Sequence, residues 1–144
     1  MRKTWRILLD TNVVLDVLLE REPWLTDARA IWEAVDEGRV RAHLPASVLT
    51  DIYYVATRLT NPSKARETVQ VCLDAFEFCT VDQHLLEQAH QLSGSDFEDN
   101  VQIACAVRDG LEAIVTRDSE GFKTSSLSVW SPQYFRTLLE ADVQ

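Results

Sequence analysis

Short apolar segments alternate with longer amphipathic ones along this chain. The change is clearest between Ile7 and Asp16, where three aliphatic residues end in an acid and are followed by capping residues and a second apolar run. A strand buried on both faces is continuously apolar, and Thr and Asn favour the start of a helix. This stretch therefore predicts a strand over residues 6–10 and a helix from there to about Glu20.

The same alternation predicts the remaining elements. Further helices are predicted over residues 25–38, 47–59, 63–76, 82–92, 96–110 and from 131 onward. Further strands are predicted over residues 40–44, 78–81, 113–116 and 127–130. Strands that alternate with helices favour a parallel sheet with right-handed crossovers. The sequence thus predicts an α/β fold, a three-layer α/β/α sandwich around a central parallel sheet.

Size and composition are those of an ordinary globular domain, which we expect to span residues 1–144. Hydrophobic residues make up 46% of the chain and only four Gly and four Pro occur, which argues against disorder. No apolar run approaches the ~20 residues of a membrane span. We therefore expect a cytoplasmic protein without membrane association. The three cysteines show no Cys-x-x-Cys spacing and are expected to be buried free thiols.

The formal net charge of −9 argues against a protein that holds nucleic acid by a broad basic surface. Two explanations of the charge stay open. The acids could line a pocket that holds cations, or a basic partner could cover an acidic surface.

Four acids from distant parts of the sequence are predicted to meet at one edge of the sheet. Asp10 and Asp118 each follow an apolar strand, and the carboxyl ends of parallel strands share an edge. Asp51 and Asp99 lie in the first turns of helices expected at the same edge. A structural alternative exists, because acids stabilise helix N-termini and Asp96 with Asp99 has the spacing of a capping pair.

Converging carboxylates repel one another unless some are protonated or a multivalent cation neutralises them. No His or Cys lies near these acids in the sequence. A site of oxygen ligands alone favours Mg²⁺ or Mn²⁺ over zinc. Such ions keep positions open for water and phosphate oxygens, so the predicted chemistry is phosphodiester hydrolysis.

Four motifs follow one another in a fixed order. They are Leu8-Leu9-Asp10-Thr11-Asn12 with Asp16, then Asp51 within a helix, then Asp96-Phe97-Glu98-Asp99 ahead of Ile103-Ala104-Cys105-Ala106, then Thr116-Arg117-Asp118 with Phe122. Together they resemble the PIN domain family, over residues 6 to about 130. The likeness is greatest to small single-domain members, many of them VapC-like ribonuclease toxins of toxin–antitoxin pairs.

This resemblance implies a divalent-metal ribonuclease with an antitoxin protein as partner. Asp10, Asp99 and Asp118 match acids of the family and are expected to bind Mg²⁺ or Mn²⁺. Asp51 falls where the family most often has Glu, and its shorter side chain favours a water between it and the ion. The resemblance thus implies four catalytic acids, of which three bind metal directly.

Other residues of the motifs are expected to support these acids. Thr11, Asn12 and Thr116 would position acids or a water through hydrogen bonds, and Asp96 would support a first or second ion. Arg117 is expected to contact RNA, because its neighbour Asp118 places it at the edge of the site.

The resulting hypothesis is endonucleolytic cleavage of RNA by a water that one or two metal ions activate. A rival is phosphatase chemistry of the haloacid-dehalogenase kind, in which a strand-end Asp is the nucleophile. That class requires a second acid two positions after Asp10, where this chain has Asn12. A non-enzymatic alternative is a PIN scaffold that only binds RNA or protein, which the shortened acid at Asp51 favours.

Aromatic residues are frequent in the early helices, and core packing is their default explanation. They are Trp24, Trp32, Tyr53 and Tyr54. The alternatives are a homodimer contact or a groove for the antitoxin.

Overall fold

The computed structural model describes residues 3–143, so Met1, Arg2 and Gln144 of the expected domain lie outside the described residues. Five strands form one sheet: β1 Trp5–Leu9, β2 Val40–Pro45, β3 Glu77–Cys79, β4 Ala113–Val115 and β5 Ser128–Trp130. The strand order is β3-β2-β1-β4-β5, and every neighbouring pair is parallel. The predicted parallel sheet is confirmed, with β1 at its centre.

Within residues 3–143, seven α-helices connect or follow these strands. They are α1 Thr11–Leu18, α2 Leu25–Asp36, α3 Val48–Leu59, α4 Pro62–Ala75, α5 Gln83–Gln91, α6 Phe97–Arg108 and α7 Pro132–Val143. A short 3₁₀ helix, Ser119–Phe122, lies between β4 and β5 and was not predicted. None of the helices within residues 3–143 is both long and apolar enough to cross a membrane.

Side chains cap α4, α5 and α6, whereas α1, α2 and α3 begin without a side-chain capping hydrogen bond. The Asn61 side chain accepts a hydrogen bond from the Lys64 N–H at 2.9 Å, and Pro62 occupies the first turn of α4. Ser47 precedes α3 as predicted, but its side chain makes no capping hydrogen bond. The start of α3 therefore depends on packing more than on a side-chain cap.

The side chains of β1 alternate between two cores. Ile7 and Leu9 pack on one face with residues of α1 to α4 and of α7, whereas Leu8 packs on the other with residues of α5 and α6. All three are at most 2% exposed. Helices on both faces confirm the predicted α/β/α sandwich. Cys72, Cys79 and Cys105 are buried free thiols, as predicted.

The sheet ladder continues one residue past two of the strands. The Asp10 N–H donates to the Val115 carbonyl at 3.0 Å, and the Thr116 N–H donates to the Trp130 carbonyl at 2.9 Å. Asp10 and Thr116 therefore lie side by side at the carboxyl edge of the sheet, where parallel α/β folds bind their ligands.

Candidate active site

Asp10 lies at the tip of the central strand and is only 6% exposed. It precedes α1, but its carboxylate makes no capping hydrogen bond to that helix. Instead, Oδ2 accepts from the Thr116 hydroxyl at 2.7 Å and Oδ1 from the Gln102 amide at 3.3 Å. Burial raises the pKa of the Asp10 carboxyl, and these hydrogen bonds oppose the rise only in part. Two side chains from outside α1, Thr116 directly after β4 and Gln102 of α6, thus hold the carboxylate in place.

The Thr116 hydroxyl connects two of the predicted acids. It donates to Asp10 and accepts from the backbone N–H of Asp118 at 3.0 Å. Thr116 is 1% exposed, so water competes little for these bonds. The short segment after β4 is thereby fixed against the end of β1.

Asp99 lies in the first turn of α6, and Asp96 caps that helix. The Asp96 carboxylate accepts from the Asp99 N–H at 3.0 Å, which is the structural alternative expected for this pair. Asp96 nevertheless lines the same cavity as Asp99, so capping does not remove it from the site.

The Asp99 carboxylate comes very close to Gly121 of the 3₁₀ helix. A β-carbon built on Gly121 would lie 2.3 Å from Oδ2 of Asp99 and 3.6 Å from Oδ2 of Asp118. The absence of a side chain at Gly121 therefore makes room for the carboxylate and brings Asp99 and Asp118 to the same small region.

The predicted acids line one cavity of about 530 Å³. Its lining includes Asp10, Asp51, Asp96, Asp99 and Asp118, together with Thr11 and Asn12. Thr116 stands behind Asp10 and is not part of the lining. Acids from β1, α3, α6 and the segment after β4 thus share one space, although they are distant in sequence.

Two further residues of the cavity with carboxylate or amide side chains, Glu98 and Gln102, were not predicted as site residues. Burial, followed by the charges of Asp51 and the other acids, raises the pKa of Glu98. Gln102 lies three residues after Asp99, and this helical spacing is the signal that could have identified it. Its Oε1 atom is buried without a hydrogen-bond partner.

The charged residues that line the cavity are all acidic, because none of the lining residues within 3–143 is Lys, Arg or His. The pKa of Asp99 is raised to about 7. Burial is the largest cause, and the neighbouring carboxylates of Asp96, Asp10, Asp118 and Glu98 add to it in that order. The neighbouring carboxylates repel one another when they are ionised, and a bound cation would relieve this repulsion.

The donor set suits a hard divalent cation, because it consists of carboxylate oxygens with the unpartnered amide oxygen of Gln102 beside them. As they stand, no three His, Cys, Asp or Glu side chains among the described residues form a ready-made metal site. An ion held here would keep part of its water shell, as Mg²⁺ usually does. The residues present therefore fit a loosely held, partly hydrated ion.

Arg117 lies outside the cavity lining, and its guanidinium is engaged elsewhere. It pairs with Asp16, a fully buried acid of α1, and its Cζ lies 3.8 Å from the centre of the Trp24 ring. Arg21 approaches the same carboxylate at 3.7 Å. The contact of Arg117 with RNA stays a prediction, while its contact with Asp16 is a structural role that sequence reasoning missed.

The sequence profile of the PIN domain matches residues 6–120, which include every acid of the cavity. The chain belongs to the PIN domain family. No curated protein matches it in sequence.

Solved structures of toxin–antitoxin proteins share this PIN domain fold. DNA-bound VapBC from Salmonella typhimurium gives a TM-score of 0.68 at 16% identity, over 90% of this chain and 99% of that one. FitAcB from Neisseria gonorrhoeae gives 0.65 at 18% identity, over 89% and 99%. VapC20 from Mycobacterium tuberculosis, described as a toxin that cleaves the sarcin–ricin loop, gives 0.60 at 17% identity, over 75% and 86%. At such identities the likeness establishes the fold.

Proposed function

We propose that this PIN domain is a divalent-metal-dependent endoribonuclease. The observation that carries the proposal is the single cavity in which Asp10, Asp51, Asp99 and Asp118 meet without a positive side chain to neutralise them. Membership of the PIN domain family supports the reaction class. The fold comparison with VapC20, a toxin that cleaves RNA, supports the substrate.

In the proposed mechanism Asp10, Asp99 and Asp118 would hold Mg²⁺ or Mn²⁺, and the shorter reach of Asp51 would favour an indirect contact through a water. The ion supplies the Lewis acidity that cleavage of a phosphodiester by water requires. Thr116 and Gln102 keep the Asp10 carboxylate in a fixed orientation. Burial and the neighbouring carboxylates raise the pKa of Asp99 to about 7, and a bound cation would favour its ionised form. No side chain has to act as a nucleophile.

The proposed biological role is that of a toxin whose partner is an antitoxin protein, acting on RNA in the cytoplasm. A solved structure described as a toxin–antitoxin complex from Klebsiella pneumoniae supports this role by its shared fold, with a TM-score of 0.64 at 18% identity. An antitoxin that presents a basic side chain would suit the acidic cavity.

The second candidate is a PIN scaffold that binds RNA or protein without cleaving it. The observation that favours it is that no three acids of the described residues form a ready-made metal site. The two candidates differ in metal binding, because an ion that binds only the folded state raises its stability. A scaffold should show little change in melting temperature when Mg²⁺ or Mn²⁺ is added.

The decisive experiment compares the wild type with Asp10→Asn in RNA cleavage with Mg²⁺, with Mn²⁺ and with EDTA. The wild type should cleave only with metal, and Asp10→Asn should be inactive while keeping its circular dichroism spectrum. Asp74→Asn is the matched control, because Asp74 lies on α4 and binds Gln70 outside the cavity. Cleavage in EDTA, or full activity of Asp10→Asn, would refute the proposal.

A further inference from the structure

A second cavity of about 340 Å³ adjoins the acidic one between α3, α5 and α6. The two cavities share Asp51, Glu98 and Gln102, so they lie side by side, and we refer to them together as the cleft. The remaining wall of the second cavity is mainly apolar and includes Val48, Val81, Leu86, Phe97 and Val101. We call it the apolar cavity. It lies directly beside the acids that are proposed to cleave RNA.

Phe97 is the feature of the apolar cavity that requires an explanation. It is the first residue of α6, two positions before Asp99, and it is 49% exposed. Leu86, which lines the same cavity from α5, is 39% exposed. Large apolar side chains that are exposed together around a cavity indicate a binding surface.

A second exposed aromatic residue lines the acidic cavity itself. Tyr54 lines the acidic cavity and is 62% exposed. It follows Asp51 by three residues, so the two side chains lie on the same face of α3. An exposed aromatic side chain therefore lines each of the two cavities, Tyr54 the acidic one and Phe97 the apolar one.

The charge of the cleft limits what can bind beside the acids. Phosphates are repelled by carboxylates except where a bound cation intervenes, and no basic residue within 3–143 lines either cavity. Nucleobases are uncharged and stack on aromatic rings. Affinity for RNA at this cleft should therefore come from bases rather than from contacts between phosphates and basic side chains.

We propose that the apolar cavity binds the nucleobase next to the cleaved phosphate of single-stranded RNA, with Phe97 as its stacking surface. This inference rests on the proposed function, because it takes the acidic cavity as the place of cleavage. A base within a duplex is already stacked on its neighbours and cannot enter. The site thus favours single-stranded segments such as loops and ends.

The test measures binding separately from cleavage. All proteins carry Asp10→Asn so that the RNA stays intact, and fluorescence anisotropy in Mg²⁺ follows a short labelled single strand of mixed sequence. Phe97→Ala should weaken binding about tenfold, and Phe97→Trp should restore it. The same strand made without bases should bind both Phe97→Ala and its parent equally, because the stacking partner is missing.

Tyr134→Ala is the matched control. Tyr134 is also 49% exposed but lies on α7 against Trp130, away from both cavities. Its removal should leave RNA binding unchanged. The base site is refuted if Phe97→Ala binds the intact strand as its parent does, if the loss is the same on the strand without bases, or if no RNA binds.

The oligomeric state provides a further control. Light scattering should give the same mass for Phe97→Ala and its parent. A Phe97→Ala protein that loses a dimer would show that Phe97 belongs to an interface between copies, and the base site would be wrong.

Failure of this inference is distinguishable from failure of the nuclease proposal. Metal-dependent cleavage by the wild type without any effect of Phe97 on binding would refute the base site alone. Binding that depends on Phe97, together with a wild type that never cleaves RNA, would refute the nuclease and leave only the stacking of a nucleobase on Phe97, without a neighbouring cleaved phosphate.

Discussion

Arg117 donates two hydrogen bonds to Asp16, from Nε to Oδ2 at 2.9 Å and from Nη2 to Oδ1 at 3.3 Å. The pair joins the segment after β4 to the interior of α1. Arg117 stands directly between Thr116 and Asp118, so its position helps to fix the backbone that carries both. A planar guanidinium suits this two-point contact in a way that an ammonium does not.

Replacing Arg117 by Ala should lower the free energy of unfolding by about 2 to 4 kcal/mol, since it removes the main partner of a buried carboxylate. Arg117→Lys should recover part of this loss through its charge. Urea denaturation measures both. Arg29→Ala is the control, because its pair with Glu20 is exposed and spans 3.9 Å. It should cost less than about 1 kcal/mol. Equal effects of Arg117→Ala and Arg29→Ala would contradict the role assigned to Arg117.

Gly121→Ala should weaken metal binding without unfolding the protein. The new β-carbon would meet Oδ2 of Asp99 at 2.3 Å, and the end of that side chain can move aside only by leaving its place in the cavity. Isothermal titration with Mn²⁺ measures the loss, which we expect to be about tenfold, as for a removed supporting contact.

Gly110→Ala is the control for Gly121→Ala, because it should affect stability and not metal binding. Gly110 has φ of +64°, and a β-carbon added there would have no atom within 4 Å, so substitution strains the backbone at a distance from the site. It should lower stability by about 1 kcal/mol and leave Mn²⁺ binding unchanged. The assignment of Gly121 would be wrong if the two alanine variants behaved alike.

The raised pKa of Asp99 predicts a pH dependence of stability in the absence of metal. Folded Asp99 titrates at about 7, whereas its ordinary value is 3.8. Between these values the folded state binds a proton that the unfolded state has lost, so this contribution to stability falls as pH rises through the window. Urea midpoints at about pH 5 and about pH 8 should therefore differ less in Asp99→Asn than in the wild type.

Metal should reverse the trend, because a cation binds the ionised carboxylate. Added Mg²⁺ should raise the melting temperature more at about pH 8 than at about pH 5. A wild type whose response to Mg²⁺ is the same at both values would show that Asp99 does not take part in metal binding.

Substitutions of Asp51 test whether its carboxylate contacts the metal ion directly or through a water. If a water lies between its carboxylate and the ion, Asp51→Asn should weaken Mn²⁺ binding less than Asp99→Asn does. Asp51→Glu adds one methylene toward the cavity and should bind Mn²⁺ at least as tightly as the wild type. Calorimetric titration of the three variants ranks them, and a weaker Asp51→Glu would argue against the indirect contact.

The sheet and the acids at its edge were predictable because each depends on a local pattern. Continuous apolar runs marked β1 and β4, and the acids that follow them stood at strand ends by sequence alone. Parallel topology then required those ends to lie together. The meeting of Asp10 with the segment of Asp118 in one cavity follows from these two facts.

What escaped prediction depends on contacts between distant segments. The direction of Arg117 is set by a buried acid 101 positions earlier, which no local pattern reveals. The close approach of Gly121 to Asp99 depends on a 3₁₀ helix too short to leave a periodic signal. Strand β3 was predicted over residues 78–81 and lies at Glu77–Cys79. The ends of so short a strand depend on which residues of β2 it pairs with, and the local sequence does not reveal that pairing.

The central place of β1 has a consequence for synthesis of the chain. On its β4 side β1 receives hydrogen bonds only after Ala113–Val115 has been made, more than 100 residues later. Until then an apolar edge with free backbone groups is open to pairing with other chains. Aggregation of the nascent polypeptide, rather than of the finished protein, is therefore the hazard that its fold creates on the ribosome.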